Sequence, residues 1–490
     1  MEDDWQHHLR RNVALISLSL FFLPIDTFIL AYALAFRYTI SLALWLLQQS
    51  SSQNTQRRTV LVTGVGTPEG LMLAREFHSA GHRVIGADFE PYGIPVCGRF
   101  SRALGKFYRL PRDPTDNYIS SLIAIVQIEG VDLWISCSGV ATAMEDAQAK
   151  EKIENLTDCK ALQHDLNTTA TLCHKDSFLR YTAELGFPVL EARKVTSRNA
   201  VHHTLNRANG KRYVMNTLGD DDALGGNVTI LPRDTLSRTY DYVSKLEVTK
   251  EKPWILQQVI EGEQYCTHAL IIRGEVKAFV ACPSSKFPMH YKALPQKSAL
   301  KSAMLKFTQE FADRSGLSMV GSMTGHLSFD FVVDEQATEA GVETKIFPIG
   351  CNPTVHTAVM LLHDQGQQMV RAYLEILLPQ VNGFSKGRII DKIMPENPRK
   401  YYWIGNDLVT LVLHPLSRLL RGMIPPEEFT QGSISFLKHV LLWKDGTFEV
   451  WDPLPWWVLY HIYWPGKFIG STFDPKRWTK INVRQTEFCD

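Results

Sequence analysis

The residues with the clearest chemical potential stand on two short runs near the middle of the chain. His326-Leu327-Ser328-Phe329-Asp330-Phe331 and Ile346-Phe347-Pro348-Ile349-Gly350-Cys351-Asn352-Pro353-Thr354 combine β-branched and aromatic residues with flanking turn formers, the pattern of a strand. Val333-Asp334-Glu335 and the polar residues after it have the composition of a hairpin turn. On adjacent strands, Asp330 and Asn352 would offer a carboxylate and an amide oxygen side by side. Mg²⁺ takes hard oxygen ligands, commonly one or two carboxylates with phosphate oxygens completing its shell. The pair therefore suits a metal that carries a nucleoside triphosphate. The plainer alternative is a hairpin whose Asp faces water.

The rest of the chain must position such a pair. Its 490 residues are enough for about two to four domains. Lys+Arg 52 against Asp+Glu 51 leaves no basic surplus, which excludes a general nucleic-acid binder. The 8 cysteines are scattered, with no Cys-x-x-Cys and no Cys/His pair at zinc spacing, as expected of reduced thiols in a cytosol-facing protein. Three glycosylation triplets, at Asn155, Asn167 and Asn227, would matter only if the body lay in a lumen.

Residues 13–36 are almost wholly apolar, broken by Pro24 and Asp26, and a second apolar run covers 38–47. No small-residue cleavage site follows, so a signal peptide fits poorly. One tilted span is an option, since about 20 apolar residues cross a bilayer. A re-entrant hairpin turning at Pro24-Asp26 is the other, favoured by the cost of a carboxylate at mid-bilayer. From Arg57 the pattern is βαβ: a buried strand 59–63, a glycine turn Gly64-Val65-Gly66-Thr67-Pro68-Glu69-Gly70, a helix, and a strand ending at Asp88. A further strand is expected over 131–137. The glycine turn with Asp88 is a loose dinucleotide fingerprint, and a distant reading is an NAD(P)-dependent oxidoreductase. From about residue 160 the character shifts to α+β. Helices are expected over 174–186 and 297–314. Strands are expected at 212–216, 254–260, 267–272 and 276–281. Beyond 380 the chain is aromatic-rich: a helical region over 408–420, a strand pair around Asp445-Gly446 that includes 436–443, and the run Pro453 to Trp464, dense in Trp and Tyr as at a bilayer interface.

Taken in order, residues 57–360 resemble the ATP-grasp ligases. More narrowly, they resemble the mycosporine-glycine synthase type, which joins an amino acid to a cyclohexenone core. The likeness is carried by Ala74 to Val84, Arg99 to Tyr108, Cys137-Ser138, Glu251 to Gln257, Cys266-Thr267-His268, Ser284-Ser285, Ser328 to Phe331 and Cys351-Asn352-Pro353. The resemblance implies a fold of class α/β plus α+β. A membrane anchor or hairpin (1–48) would precede a Rossmann-like pre-grasp domain (57–160), an ATP-grasp domain (161–380) and an aromatic-rich, membrane-proximal region (381–490). It implies ATP and Mg²⁺ as cofactors, with Asp330 and Asn352 at the metal and Lys175 on phosphate. Gln257, Gln258, Val259, Ile260 and Gln264 would lie about the nucleotide, and Arg273, His268, Ser284 and Ser285 on the acceptor side. The partners implied are an amino acid, a small oxygenated acceptor of polyketide or cyclohexenone type, and a membrane with the catalytic domain on its cytosolic side. Nucleic acid and oligomeric state do not enter.

The chain departs from that pattern at defined positions. Asn216 stands where the family has a second Lys, Gln258 and Gln264 where it has acids, Gly350 where it has the second metal carboxylate, and Thr354 where an Arg is usual. The lid loop reads Gly219-Asp220-Asp221-Asp222, and like charges repel a triphosphate. These departures motivate a second reading, a degenerate scaffold of the same fold that binds a ligand or partner without turnover.

Overall fold

The computed structural model describes residues 2–47, 56–111, 116–208, 210–217, 229–260, 262–284, 289–318, 323–338, 341–379 and 392–472. The expected lid loop at 219–222, Ser285, and the sequon at Asn227 lie outside them. Two compact units are distinct. The first comprises 1–170, 267–328 and 352–490, and the second 171–266 and 329–351.

The first unit begins with one continuous helix, α1 (Glu2–Leu47). Its stretch Arg11–Thr39, 29 residues, is long and apolar enough to cross a membrane. At 1.5 Å per residue that is about 43 Å, against a hydrocarbon core of about 30 Å. The chain does not turn at Pro24-Asp26, so the hairpin expectation is corrected, and the reason is a partner far along the sequence. Asn12, Ser19 and Asp26 recur every seven residues, which places them on one face of a helix. That face meets the C-terminal helices. Asn12 Nδ2 donates to Phe468 O (3.2 Å), Ser19 Oγ donates to Tyr460 O (2.9 Å), and Asp26 Oδ2 lies 2.9 Å from His461 Nε2. Trp457 Nε1 donates to Thr27 Oγ1 at 3.1 Å. With His461 beside it Asp26 is no longer a lone carboxylate, and the main argument for a turn disappears. Phe21 and Phe28, on other faces, are 70% and 73% exposed, a surface suited to lipid.

The parallel sheet follows: β1 (Thr59–Thr63), β2 (Arg83–Phe89), β3 (Lys106–Leu110), β4 (Leu133–Ser136) and β5 (Lys160–Leu162), in the order β3-β2-β1-β4-β5. All four pairings are parallel, with Val60 opposite Val84 on one side and Leu133 on the other. Both faces of β1 are covered, which is why Val60-Leu61-Val62 is a continuous apolar run. Helix α2 (Pro68–Ser79) starts where the sequence allows. Thr67 caps it by accepting from Gly70 N at 3.1 Å, and Pro68 takes the first turn, where no N–H is needed. Gly64 has φ +72°, and a Cβ there would lie 2.3 Å from Cys137 O, so only glycine fits.

In the second unit, β6 (Ala192–Val195), β7 (Arg212–Thr217) and β8 (Trp254–Val259) form an antiparallel sheet ordered β6-β8-β7. The helix Lys175–Glu184 packs by Phe178 against Phe329, ring centres 6.0 Å apart. A four-stranded sheet contains β9 (Glu263–Ile272), β10 (Glu275–Pro283), β11 (Gly325–Thr338) and β12 (Gly341–Asn352), in the order β10-β9-β11-β12. The expected fold class, a parallel α/β part followed by α+β, is the architecture found.

One expectation near the C-terminus is corrected. Residues 436–443 are not a strand. Residues 436–442 complete the helix Pro426–Leu442, Trp443 caps it, and the two-residue β14 (Lys444–Asp445) pairs in parallel with β13 (Tyr401–Tyr402). A short apolar run cannot be told from a helix face by periodicity alone.

Candidate functional site

Asp330 stands on β11 and Gly350 on β12, and a Cβ built on Gly350 would lie 3.5 Å from Asp330 Oδ2. The position expected to hold a second carboxylate is therefore directly beside the first, and it carries no side chain. Asn352 is the last residue of β12, half-buried, in the first unit. The side chains of Glu335 and Glu343, the nearby acids, lie outside the described residues.

Lys175 opens its helix and is exposed. Gln257 is buried on β8. Gln258 is committed inside the sheet: its N–H donates to Glu191 O at 2.7 Å, and its Oε1 accepts from Glu191 N at 3.3 Å. Glu191 is itself held by Tyr213 Oη at 2.7 Å and by Lys211 and Arg193, and these donors, Tyr213 first, pull its carboxyl down to about 2. Pairing with β7 ends at Val259 opposite Arg212, and Ile260 follows the strand. Gln264 is exposed near the start of β9.

The residues expected on the acceptor side all belong to the first unit. Arg273, at φ +53° in the turn after β9, gives its guanidinium to the carbonyls of Ile376 (3.4 Å) and Leu378 (2.5 Å). Ser284 is exposed just past β10. His268 lies in mid-β9, five positions before Arg273, or about 16 Å along an extended strand. These three do not share one point on the strand pair.

His268 instead belongs to a cluster that sequence reasoning did not assemble. Its ring stacks on His326 with centres 5.2 Å apart, and its Nδ1 accepts from His356 N at 3.3 Å. His164 Nε2 lies 2.7 Å from His326 O, and Tyr373 faces His326 at 5.6 Å between ring centres. Burial pushes the pKa down to about 3 at His326 and about 4 at His164 and His356, and lowers His268 well below the usual imidazole range. All four rings are neutral at pH 7. His268 Nε2, both ring nitrogens of His326 and the Tyr373 hydroxyl have no hydrogen-bond partner among the described residues. The signal was in the sequence, since His326 and His268 each interrupt an apolar strand, but the partners at 164 and 356 come from elsewhere.

The glycine turn is not open to a dinucleotide. Gly66 N donates to Asp88 Oδ2 at 2.6 Å, and a Cβ on Gly66 would come within 2.9 Å of both that oxygen and Val96. Ile94, Val96 and Cys97 pack over the turn with Val458, Leu459 and Tyr463. The donor that would meet a pyrophosphate and the acid that would meet a ribose thus satisfy each other. Burial raises Asp88 to about 7, and Glu69, held by Thr357 Oγ1 at 3.0 Å, also to about 7.

Glu69 gives a pH-dependent expectation. Its folded pKa lies above the ordinary carboxyl value of about 4.5, so the folded state holds the proton more tightly. Its burial costs nothing below about pH 4.5. The cost grows as pH rises toward 7 and is constant above, reaching up to about 3 kcal/mol. Glu69→Gln is expected to stabilise the chain at pH 8 and to lose that advantage by pH 5. Denaturant midpoints of both proteins at the two pH values measure it, and a difference independent of pH contradicts the assignment.

No family model matches this chain, and no curated protein matches it. Among solved structures it is similar to the ADP complex of PurK, an N5-carboxyaminoimidazole ribonucleotide synthetase, at 14% identity over 75% of this chain and 88% of that one, TM-score 0.49. It is similar to the L-amino acid ligase from Bacillus licheniformis at 14% identity over 69% and 79%, TM-score 0.46. A third, carboxyaminoimidazole ribonucleotide synthase from Aspergillus clavatus with ATP, has 11% identity over 71% and 82%, TM-score 0.47.

Proposed function

We propose that this chain is a membrane-anchored ATP-grasp ligase that forms a C–N bond between an amino acid and a small oxygenated acceptor, polyketide- or cyclohexenone-like, in secondary-metabolite biosynthesis. The observation that carries the reading is Asp330 on β11 with β12 beside it, at the end of a chain that runs from a parallel sheet through a small antiparallel one. On this reading 57–160 is the pre-grasp domain, 161–380 the ATP-grasp domain on the cytosolic face, and 1–48 and 381–490 the membrane-associated parts.

The chemistry moves the γ-phosphoryl of ATP to an acceptor oxygen, releasing ADP. The amine then forms the C–N bond as the C–O bond breaks, and phosphate leaves. Most of the rate comes from positioning and charge stabilisation. Asp330 would hold Mg²⁺, which supplies charge neutralisation along the triphosphate. A single carboxylate with phosphate oxygens is a normal environment for that ion, so the residues present fit it. Lys175 would meet a phosphate, and Val259 and Ile260 would border the adenine.

A second reading, a scaffold without turnover, is favoured by one observation: Gly350, the position beside Asp330, carries no side chain. Titration of the full chain in detergent with ATP, with and without Mg²⁺, tests the first reading. Mg²⁺-dependent binding is expected, and its absence overturns the ligase. ADP release screened across amino acids then separates ligase from scaffold, and binding of NADP⁺ in place of ATP would restore the oxidoreductase reading.

A further inference from the structure

His290, Asp407 and His439 come from three separate segments of the first unit and meet in its interior. His290 lies just before the bridge between Tyr291 and Tyr401, beside Met289 at φ +71°. Asp407 ends the helix Ile404–Asp407, and a widened π turn, Leu408–Leu413, begins at the next residue. Single π turns inside helices often mark functional sites, because the extra residue re-aims a side chain. His439 stands on the helix Pro426–Leu442.

The donor atoms of these three side chains all lie within 4.8 Å of one another. His439 Nδ1 is hydrogen-bonded to Asp407 Oδ2 at 2.6 Å, and His290 Nε2 is 2.8 Å from Asp407 Oδ1. Yet Oδ1, fully buried, accepts no hydrogen bond among the described residues. The short contact is therefore not along an N–H axis. The imidazole centres are 4.8 Å apart with planes at 52°. Metal–nitrogen bonds of about 2.1 Å put each ring centre about 3.2 Å from an ion, so that separation corresponds to a nitrogen–metal–nitrogen angle of roughly 100°. Trp443 lies against both rings, at 4.6 Å from His439 and 5.5 Å from His290.

We propose that His290, Asp407 and His439 bind one first-row divalent transition-metal ion, Zn²⁺ or a close relative. Two imidazoles and one carboxylate select such ions over Mg²⁺ and Ca²⁺, which prefer oxygen throughout. Asp407 is 0% exposed, and a dication held between it and the two imidazoles would satisfy its buried oxygens. Binding fastens the segment at 290 to the two C-terminal helices, and three protein donors leave a coordination position open. This site is separate from the proposed nucleotide site and does not depend on it.

The test uses the full chain, purified in detergent and dialysed with Zn²⁺. About one equivalent per chain is expected, with a raised Tm that Mg²⁺ does not reproduce. Asp407→Asn and His439→Gln are expected to weaken binding at least tenfold and abolish the Tm shift. Retention of the same Zn²⁺ by both variants overturns the proposal, as does failure of wild type to bind any. If the variants do not fold, X-ray absorption of the Zn²⁺-loaded wild type decides. Two imidazole shells with oxygen support the site, while sulfur at about 2.3 Å assigns the ion to cysteine and overturns it.

Discussion

Asp452→Ala is expected to cost about 3–5 kcal/mol of stability, because it leaves a buried guanidinium without its counter-charge. Arg75 and Asp452 are 7% and 0% exposed at their side chains, with Arg75 Nε 2.9 Å from Asp452 Oδ2. The other Arg75 nitrogens donate to the carbonyls of Thr447 and Asp452, both at 2.9 Å. The carboxylate also accepts from Ser101 Oγ at 2.6 Å and from Arg102 N at 2.9 Å. Alanine thus strands one charge and two further donors at a stroke. Asp452→Asn keeps an acceptor and is expected to cost less. Thermal or denaturant midpoints of the two variants, in detergent and without nucleotide, measure the difference. Equal, small losses for both would mean that the ion pair does not seat the C-terminal segment on the parallel sheet.

The same contacts explain what the sequence could and could not reveal. Arg75 and Ser101 lie in two of the stretches that carry the family likeness, but nothing local says that their partner stands more than 350 positions away. Asp26 is the same case. Read alone it argued against a membrane span, and its partner His461 lies near the other end of the chain. Local patterns were legible where burial is two-sided, as in Val60-Leu61-Val62. They failed at β3, Lys106-Phe107-Tyr108-Arg109-Leu110, an edge strand that shows neither strict alternation nor a continuous apolar run. The glycine turn shows the limit most plainly. Its spacing was read correctly, but whether Gly66 N faces a ligand or Asp88 is decided by how 94–98 and the C-terminal helices cover it. Of the candidate site, Gly350 was singled out only through the family likeness, and the turn expected at Val333-Asp334-Glu335 lies inside β11 (Gly325–Thr338), because a short polar interruption does not by itself end a strand.

The closeness of Asp330 and Gly350 supports the second expectation, a pair of opposite substitutions. If Asp330 is the one charged protein ligand to Mg²⁺, Asp330→Asn should lower kcat/KM by about 10²-fold or more, the scale of losing a single electrostatic stabiliser at a reacting phosphate. Unchanged turnover would refute the assignment. Gly350→Glu does the reverse. A Cβ at Gly350 makes only ordinary van der Waals contact with Asp330 Oδ2, at 3.5 Å, and the backbone there is not in the left-handed region, so a side chain can be added without strain. The variant places two carboxylates together, and without a cation they repel, so one of them holds its proton more tightly. Mg²⁺ should therefore raise the Tm of Gly350→Glu more than that of wild type and tighten ATP binding by about tenfold or more. The two readings of the chain then part. A ligase that works with one carboxylate binds Mg²⁺ and ATP before the substitution and gains from it. A scaffold that has lost its metal shows Mg²⁺-dependent ATP binding only in the variant. If Mg²⁺ affects neither protein, the two strands do not form a metal site at all.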